Sequence, residues 1–227
     1  MKRLLLALTC AMALCGADLS AATVTGKIAF VTKRGQHPTP NETLVWLEPA
    51  GNAHLAKRAP VHVQLVTRSK ALLPHVLAIP AGSTVDFPND DPISHNLFSL
   101  SKPNDFDLGL YRRGAGKSQK FDSPGLVNVY CNVHPNMSAV IQVMSSPYYA
   151  FADAGGNYSI ADVAPGRYRL VAWNELGGIT ESPIEVDGSG KVTGTLALTL
   201  DSRSYREVQH LNKVGKPYQA PVSVGDY

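Results

Sequence analysis

Short runs of apolar and β-branched residues recur along the chain, separated by segments rich in Gly, Pro, Asn and Asp. Residues 88–92 and 154–157 are two such separators, and no long stretch has the period of an amphipathic helix. Strand-like runs at this spacing are typical of β-sandwiches. The runs occupy residues 24–31, 44–47, 61–66, 76–79, 84–87, 126–131, 138–144, 158–160, 168–173 and 192–200. The pattern therefore predicts an all-β fold with room for one large or two small sandwiches.

Four side chains that suit copper lie in two short segments. Cys131, His134 and Met137 follow directly on one strand-like run, and His95 lies 36 residues before Cys131. Two neutral imidazoles, one thiolate and one thioether are the ligand set of a mononuclear electron-transfer copper site. We therefore interpret these four residues as the ligands of one copper ion, which such a set can hold as Cu(I) or Cu(II).

The position of Cys131 in its strand supports this interpretation. In the run 126–131, the residues Val127, Val129 and Cys131 share one face. The thiol is therefore predicted to face the core at the end of the strand. Two other candidate ligands lie in the turn that follows, and the fourth must come from another strand. Such a loop is expected to hold a geometry that accepts both oxidation states.

Each of these residues also has a simpler interpretation. A histidine such as His95 is often only satisfied or exposed, and Met137 could be a core residue, as Met144 is expected to be. Asn96 could cap a turn, or it could bond across to the Cys131 loop and tune the thiolate. The joint occurrence of all four ligand types favours the copper interpretation.

The first 22 residues have the layout of a secretory signal peptide. A basic start precedes an apolar run at residues 4–14, and small residues end at Ala22. The run is shorter than the ~20 residues of a membrane-spanning helix. The residues before Cys10 and Cys15 fit a lipoprotein signal poorly. We expect export to the periplasm with cleavage after Ala22, and no transmembrane segment in the mature chain.

Cleavage would change both the charge and the cysteine content. The full chain has 21 Lys and Arg and 18 Asp and Glu; without Lys2, Arg3 and Asp18, 19 and 17 remain, a formal net charge of +2. That charge is too small to indicate nucleic acid or an anionic membrane surface as a partner. Cys131 becomes the only cysteine. An unpaired thiol in an oxidising compartment favours a metal–thiolate bond, the alternative being a buried, inert cysteine.

Residues 59–144 resemble a cupredoxin, the Greek-key β-sandwich of plastocyanin and amicyanin, and we place the copper domain at 59–146. The spacing of His134 and Met137 is closer to that of amicyanin. The segments 95–99 and 106–111 also resemble proteobacterial cupredoxin-like proteins assigned to methylamine utilisation. The matching residues are 80–89, His95 with Asn96, and 130–137.

The cupredoxin resemblance implies a route for electrons. The edge of His134 would reach solvent as the electron exit, and the apolar surface around it, including Pro135, would dock a redox partner protein. His75 has no ligand counterpart in cupredoxins, so we interpret it as a non-ligand on the surface.

Residues 148–200 resemble the carboxypeptidase regulatory-like family, a prealbumin-type β-sandwich, through the segments 151–160 and 163–173. About 53 residues make an incomplete sandwich, and residues 23–57 look like the missing opening strands of the same family. The copper domain is therefore predicted to be inserted into a discontinuous sandwich. The alternative assigns the N-terminal strands to the copper domain as an extra edge.

The positions of two tryptophans distinguish these two layouts. In the discontinuous layout Trp46 and Trp173 belong to one domain. Residues 201–227, which are polar, are predicted to form a flexible tail.

The functional prediction is a periplasmic one-electron carrier that is not an enzyme. A Cys131/His134 nucleophile pair within one tight turn is poorly arranged for a base and an orienting partner. Copper oxidase or reductase chemistry would need an additional metal site with an open position. The alternatives are a non-redox copper carrier or storage protein, and a carbohydrate-binding-like structural module with a vestigial site. No particular redox partner or oligomeric state is predicted.

Overall fold

The computed structural model describes residues 21–51 and 55–218, which form strands joined by turns. Within these ranges the helical structure is a single 3₁₀ turn, Pro40–Glu42. The strands are β1 (Ala22–Val31), β2 (Leu44–Pro49), β3 (His62–Gln64), β4 (Val66–Arg68), β5 (Ala71–Leu73), β6 (Val76–Pro80), β7 (Ser83–Asn89), β8 (Leu97–Ser99), β9 (Phe106–Asp107), β10 (Gly114–Phe121), β11 (Gly125–Cys131), β12 (Ser138–Met144), β13 (Tyr149–Phe151), β14 (Asn157–Val163), β15 (Gly166–Asn174), β16 (Gly178–Val186), β17 (Val192–Gly194) and β18 (Ala197–Asp201). The predicted all-β fold is confirmed.

The middle of the chain forms one sandwich, which we call the copper sandwich because it contains the four residues predicted as copper ligands. One sheet has the order β10-β7-β4-β5 with β3 beside β7, and the facing sheet has the order β6-β12-β11-β8-β9. Every second side chain of β7 and of the second half of β11 is buried, as expected for strands with one face on a core. Phe87 and Phe121 from the first sheet meet Ile141 and Cys131 from the second.

The two ends of the chain together form the second sandwich. Its sheets have the orders β14-β1-β18 and β13-β2-β15-β16-β17. Val24 and Leu198 pack against Leu47 and Leu170 across the core.

The pairing of the N-terminal strands bears on the predicted layout. β1 pairs with β14 and β18, and β2 pairs with β13 and β15. Trp46 and Trp173 lie on neighbouring strands of one sheet, as the discontinuous arrangement requires. This pairing supports that arrangement, and the division into two domains with the stated bounds stays a prediction.

The two sandwiches contact each other along a buried seam. Met144, at the end of β12, packs with Leu44, Trp46 and Val171 of the second sandwich. Its expected role as a core residue therefore holds. In the same seam, His75 bonds both to Glu175, in the turn after β15, and to the carbonyl of Ser138, at the start of β12, where the predicted ligand loop ends.

Three predictions concern the ends of the chain and membranes. Residues 1–20 of the predicted signal peptide lie outside the described residues, and β1 begins at Ala22, the residue after which cleavage is expected. Of the predicted tail, residues 202–218 have no regular structure: Ser202 bonds to Val31 of the second sandwich, whereas Lys213 and Tyr218 bond to the copper sandwich. Residues 219–227 are outside the described residues. Over the described ranges, no helix is both long and apolar enough to cross a membrane.

Candidate metal centre

The structure brings three of the four predicted ligands together at one end of the copper sandwich. Cys131 is the last residue of β11 and is fully buried, with Val127 and Val129 on the same inward face. His134 lies in the turn after this strand, and His95 precedes β8 on the neighbouring segment. The inward orientation predicted for the thiol from strand alternation is present.

Backbone hydrogen bonds hold the segments of this site against one another. The amide of His95 donates to the carbonyl of Tyr111 at 3.0 Å, and the amide of Tyr111 returns the bond at 2.9 Å. The amide of Asn132 donates to the carbonyl of Asn96 at 2.8 Å. The segment with the first histidine is therefore fixed directly to the loop with the cysteine.

The distances between the donor atoms fit one metal ion. Nδ1 of His95 lies 3.7 Å from Sγ of Cys131, and Nδ1 of His134 lies 3.6 Å from the same sulfur. All three donor atoms lie within 4.8 Å of one another. An ion that binds nitrogen at about 2.0 Å and sulfur at about 2.3 Å holds the two atoms at about this separation when the angle between the bonds is near tetrahedral. The donor set, two imidazoles and a thiolate, suits copper.

Met137 is the last residue of the loop, directly before β12. Its side chain is buried in the same core cluster as Cys131. Its amide donates to the carbonyl of His134, and its carbonyl accepts from the amide of Cys131, both at 3.1 Å. These two bonds tie the end of the loop to its beginning. The role of Met137 as the fourth ligand stays a proposal.

A buried carboxylate, not identified from the sequence, orients His95. Oδ2 of Asp91 lies 3.0 Å from Nε2 of His95, and both side chains are buried. With Nε2 donating its proton to the carboxylate, Nδ1 faces the thiol with a free lone pair. This tautomer is the one that can bind a metal through Nδ1.

Asp91 is itself held by the backbone around it. Its carboxylate accepts hydrogen bonds from the amides of Ser69 at 2.5 Å and Lys70 at 2.9 Å, in a turn where both residues have positive φ. Burial alone would raise the pKa of Asp91, but these two amides and His95 outweigh it and lower that pKa. The group beside His95 is therefore a carboxylate anion.

The remaining contacts of the cluster concern the sulfur of Cys131 and the ring of His134. The amide of Val133 lies 3.5 Å from Sγ of Cys131 and donates to it. The pKa of His134 is lowered, mainly by burial and further by the nearby positive charge of Lys70. A histidine that stays neutral keeps its lone pair available for a metal.

Two other residues singled out in the sequence have different contacts from those expected. The side chain of Asn96 donates to Asp107 at 2.6 Å, so only its backbone reaches the Cys131 loop. His75 is not on the open surface: it is half-buried between the sandwiches, where Nε2 lies 2.5 Å from Glu175 and Nδ1 lies 3.1 Å from the carbonyl of Ser138. Glu175 lies 100 residues further along the chain, so no local pattern indicates this pair.

Three exposed apolar residues, which we call the apolar rim, are close in sequence to residues of the site. His134 is half-buried, and its neighbour Val133 is exposed. Ile93, two residues before His95, and Leu110, beside Tyr111, are also exposed. Large apolar side chains on the surface near a site mark a candidate contact area.

Comparison with known proteins gives cupredoxins among the solved structures. No protein-family model matches the chain. No curated protein matches it. The chain is similar to a purple cupredoxin from Nitrosopumilus maritimus, with 24% identity over 36% of this chain and 99% of that chain and a TM-score of 0.33. An oxidised amicyanin variant has 16% identity over 36% of this chain and 81% of that chain, with a TM-score of 0.34. A copper-containing nitrite reductase from Thermus scotoductus SA-01 has 24% identity over 52% of this chain and 28% of that chain, with a TM-score of 0.34. Because these TM-scores are low, the interpretation of the site rests on the geometry of its own residues.

Proposed function

We propose that this protein is a one-electron carrier of the cupredoxin type that holds a single copper ion. His95, Cys131, His134 and Met137 would be the ligands. The observation that supports this proposal is the convergence of two imidazole Nδ1 atoms on one buried thiol at 3.6 and 3.7 Å. When bound there, copper would supply a one-electron couple between Cu(I) and Cu(II).

The residues of the site are arranged to keep its geometry constant. Asp91 fixes the ring of His95, and the Val133 amide donates to the sulfur. Backbone bonds tie the ligand loop to itself and to the Asn96 segment. A site that is fixed in this way needs little rearrangement when its charge changes by one. That property suits an electron carrier.

The burial of the donors also favours a carrier over an enzyme. Cys131, His95 and Met137 are buried, and His134 is the candidate ligand that is partly exposed. Electrons would leave through the edge of His134, and a redox partner protein would dock on the apolar rim of Val133, Ile93 and Leu110. A substrate would have no comparable access to the thiol.

We propose a periplasmic location because the first 22 residues have the layout of a signal peptide. In the proposed domain arrangement, a copper domain at 59–146 is inserted into a carboxypeptidase regulatory-like sandwich of 23–57 and 148–200. The pairing of β1 and β2 with the C-terminal strands supports this arrangement.

Addition of Cu(II) to the purified mature protein tests the proposed function. The wild-type protein is expected to develop an intense thiolate-to-copper absorption band with one copper per chain, and Cys131→Ser is expected to abolish it. Reversible one-electron voltammetry of the same sample then tests electron transfer. A colourless, stoichiometric Cu(I) complex would favour a copper carrier or storage protein, and failure to bind copper would refute both functions.

The fourth ligand is tested with two methionines of the same chain. Met137→Gln is expected to shift the reduction potential while copper stays bound, because the axial ligand tunes the potential. Met144→Gln, in the seam between the sandwiches, is the matched control and is expected to leave the potential unchanged. Equal potentials in both variants and the wild type would exclude Met137 as a ligand.

A further inference from the structure

The chain returns to the Cys131 loop after β18. β18 ends at Asp201 in the second sandwich, and residues 203–218, which we call the C-terminal segment, lead from there to the copper sandwich without regular structure. We infer that the C-terminal segment positions the Cys131 loop and so forms part of the metal centre. This inference rests on the proposed copper function.

Two hydrogen bonds from the C-terminal segment reach the loop directly. The hydroxyl of Tyr218 donates to the carbonyl oxygen of Cys131 at 2.6 Å. The amide of Lys213 donates to the side-chain oxygen of Asn132 at 3.0 Å. A candidate ligand and its neighbour are therefore both held from outside the sandwich.

A second set of bonds connects the C-terminal segment to the two segments that contain His95 and Cys131. Nζ of Lys213 lies 2.7 Å from Oδ2 of Asp107, whose other oxygen accepts from the side chain of Asn96 at 2.6 Å. The carbonyl of Asn96 accepts from the amide of Asn132, which closes a ring back to Lys213. The ring includes residues adjacent to His95 and to Cys131. A displacement of the C-terminal segment would therefore shift residues adjacent to His95 and to Cys131.

Charge strengthens this ring. Burial alone would raise the pKa of Asp107, but hydrogen bonds from Lys213, Asn96 and the amide of Gly109 outweigh it and lower the pKa to about 2. Asp107 is therefore ionised at any physiological pH, and its bond to Lys213 is charge-assisted.

Aromatic packing fixes the C-terminal segment over the strand that ends in Cys131. The ring of His210 stacks on that of Tyr130, with centroids 4.2 Å apart and an interplanar angle of 16°. The ring of Tyr218 meets His210 edge-on at 5.3 Å. Tyr130 directly precedes Cys131, so the stack and the hydrogen bonds act on the same end of β11.

Tyr218→Phe and Lys213→Met test the positioning role without removing the segment. Lys213→Met deletes the contact of the ammonium group with Asp107, and Tyr218→Phe deletes the contacts of the hydroxyl with Cys131 and, at 3.3 Å, with His210. Both variants keep most of the side-chain volume. Tyr149→Phe and Lys191→Met, both in the second sandwich, are the matched controls.

The first readout is amide hydrogen exchange in the copper-free protein. The amides of Cys131, Asn132 and Met137 are hydrogen-bonded within the site. Loss of one bracing hydrogen bond is expected to speed their exchange about fivefold in the two test variants. The controls are expected to exchange like the wild type.

The second readout is the reduction potential of the copper-loaded protein. The Tyr218 hydroxyl directs a positive dipole end toward the site, which stabilises the reduced, more negative form. Tyr218→Phe is therefore expected to lower the potential, and Tyr149→Phe to leave it unchanged.

The outcomes distinguish this inference from the proposed function. If the wild type binds copper but exchange in the test variants matches the controls, only the positioning role is overturned. Faster exchange with an unchanged potential would show that the C-terminal segment only covers the copper sandwich. That result would also overturn the positioning role. If the wild type binds no copper, the proposed function fails and this inference fails with it.

Discussion

The two sandwiches use buried polar residues in opposite ways. In the copper sandwich the buried residues Asp91, His95 and Cys131 converge on one point at one end of the fold. In the second sandwich the hydroxyls of Tyr158 and Tyr168 each bond to a nearby backbone carbonyl. Isolated, satisfied polar groups stabilise a fold, whereas a converging set prepares a site. The converging set at one end of the copper sandwich is therefore the proposed metal centre.

The largest expected effect is a loss of folding stability in two Leu→Ala variants, only one of which is expected to affect copper binding. Leu170 is fully buried in the second sandwich, and Leu97 is fully buried in the copper sandwich, paired with Cys131. Leu→Ala at either position is expected to lower the free energy of unfolding by about 2–5 kcal/mol, because each leaves a cavity. Only Leu97→Ala is expected to shift the thiolate-to-copper band.

Thermal or denaturant unfolding combined with absorption spectroscopy measures both effects. A shifted band in Leu170→Ala and an unchanged one in Leu97→Ala would remove the distinction between the two sandwiches.

The next effect concerns the buried carboxylate. Asp91→Asn is expected to reduce copper affinity about 10–100-fold, because a ligand histidine loses the charged group that fixes its ring. Asp90→Asn is the matched control, since Asp90 pairs with Arg68 on the surface and does not contact His95. Competition with a chelator measures both affinities. Equal affinities in the two variants would contradict the role of Asp91.

The smallest effect concerns the contact between the two sandwiches. The hydrogen bond to Glu175 raises the pKa of His75, and burial only partly opposes it. The stabilisation is therefore full below pH 6.5, the ordinary pKa, and is lost as the pH rises through the raised value. His75→Gln is expected to lower Tm by about 2–4 °C at acidic pH, with the difference shrinking toward alkaline pH.

A pH series of thermal unfolding curves checks this expectation, with the exposed residue His37 changed to Gln as control. A difference in Tm that is constant or grows with pH would show that the His75–Glu175 pair does not act through its charge.

The parts of the molecule that could be predicted from the sequence depend on local patterns. Alternation along 126–131 is enough to turn Cys131 inward, and the ligand types of the loop indicate copper before any contact is known. Most of the β-strands follow from the short apolar and β-branched runs, whereas β10, which is exposed along most of its length, contains no such run. These features require only neighbouring residues.

The parts that could not be predicted depend on contacts between distant residues. Asp91 lies in a segment of Pro, Asn and Asp that indicates a turn, and its bond to His95 appears only when that turn folds over the site. Tyr218 reaches Cys131 across 87 residues of chain. Its segment is polar and without periodicity, so only the packing of the whole molecule reveals the contact. The i, i+4 spacing of Asp91 and His95 is the one signal that could have indicated their pairing.

A crystal structure of the copper-loaded mature protein, with an anomalous map collected at the copper edge, tests the central claim most directly. We expect one copper ion bonded to Nδ1 of His95, Nδ1 of His134 and Sγ of Cys131, with Met137 as the fourth ligand. Copper bound at another position, or bound without the sulfur of Cys131, would contradict the account.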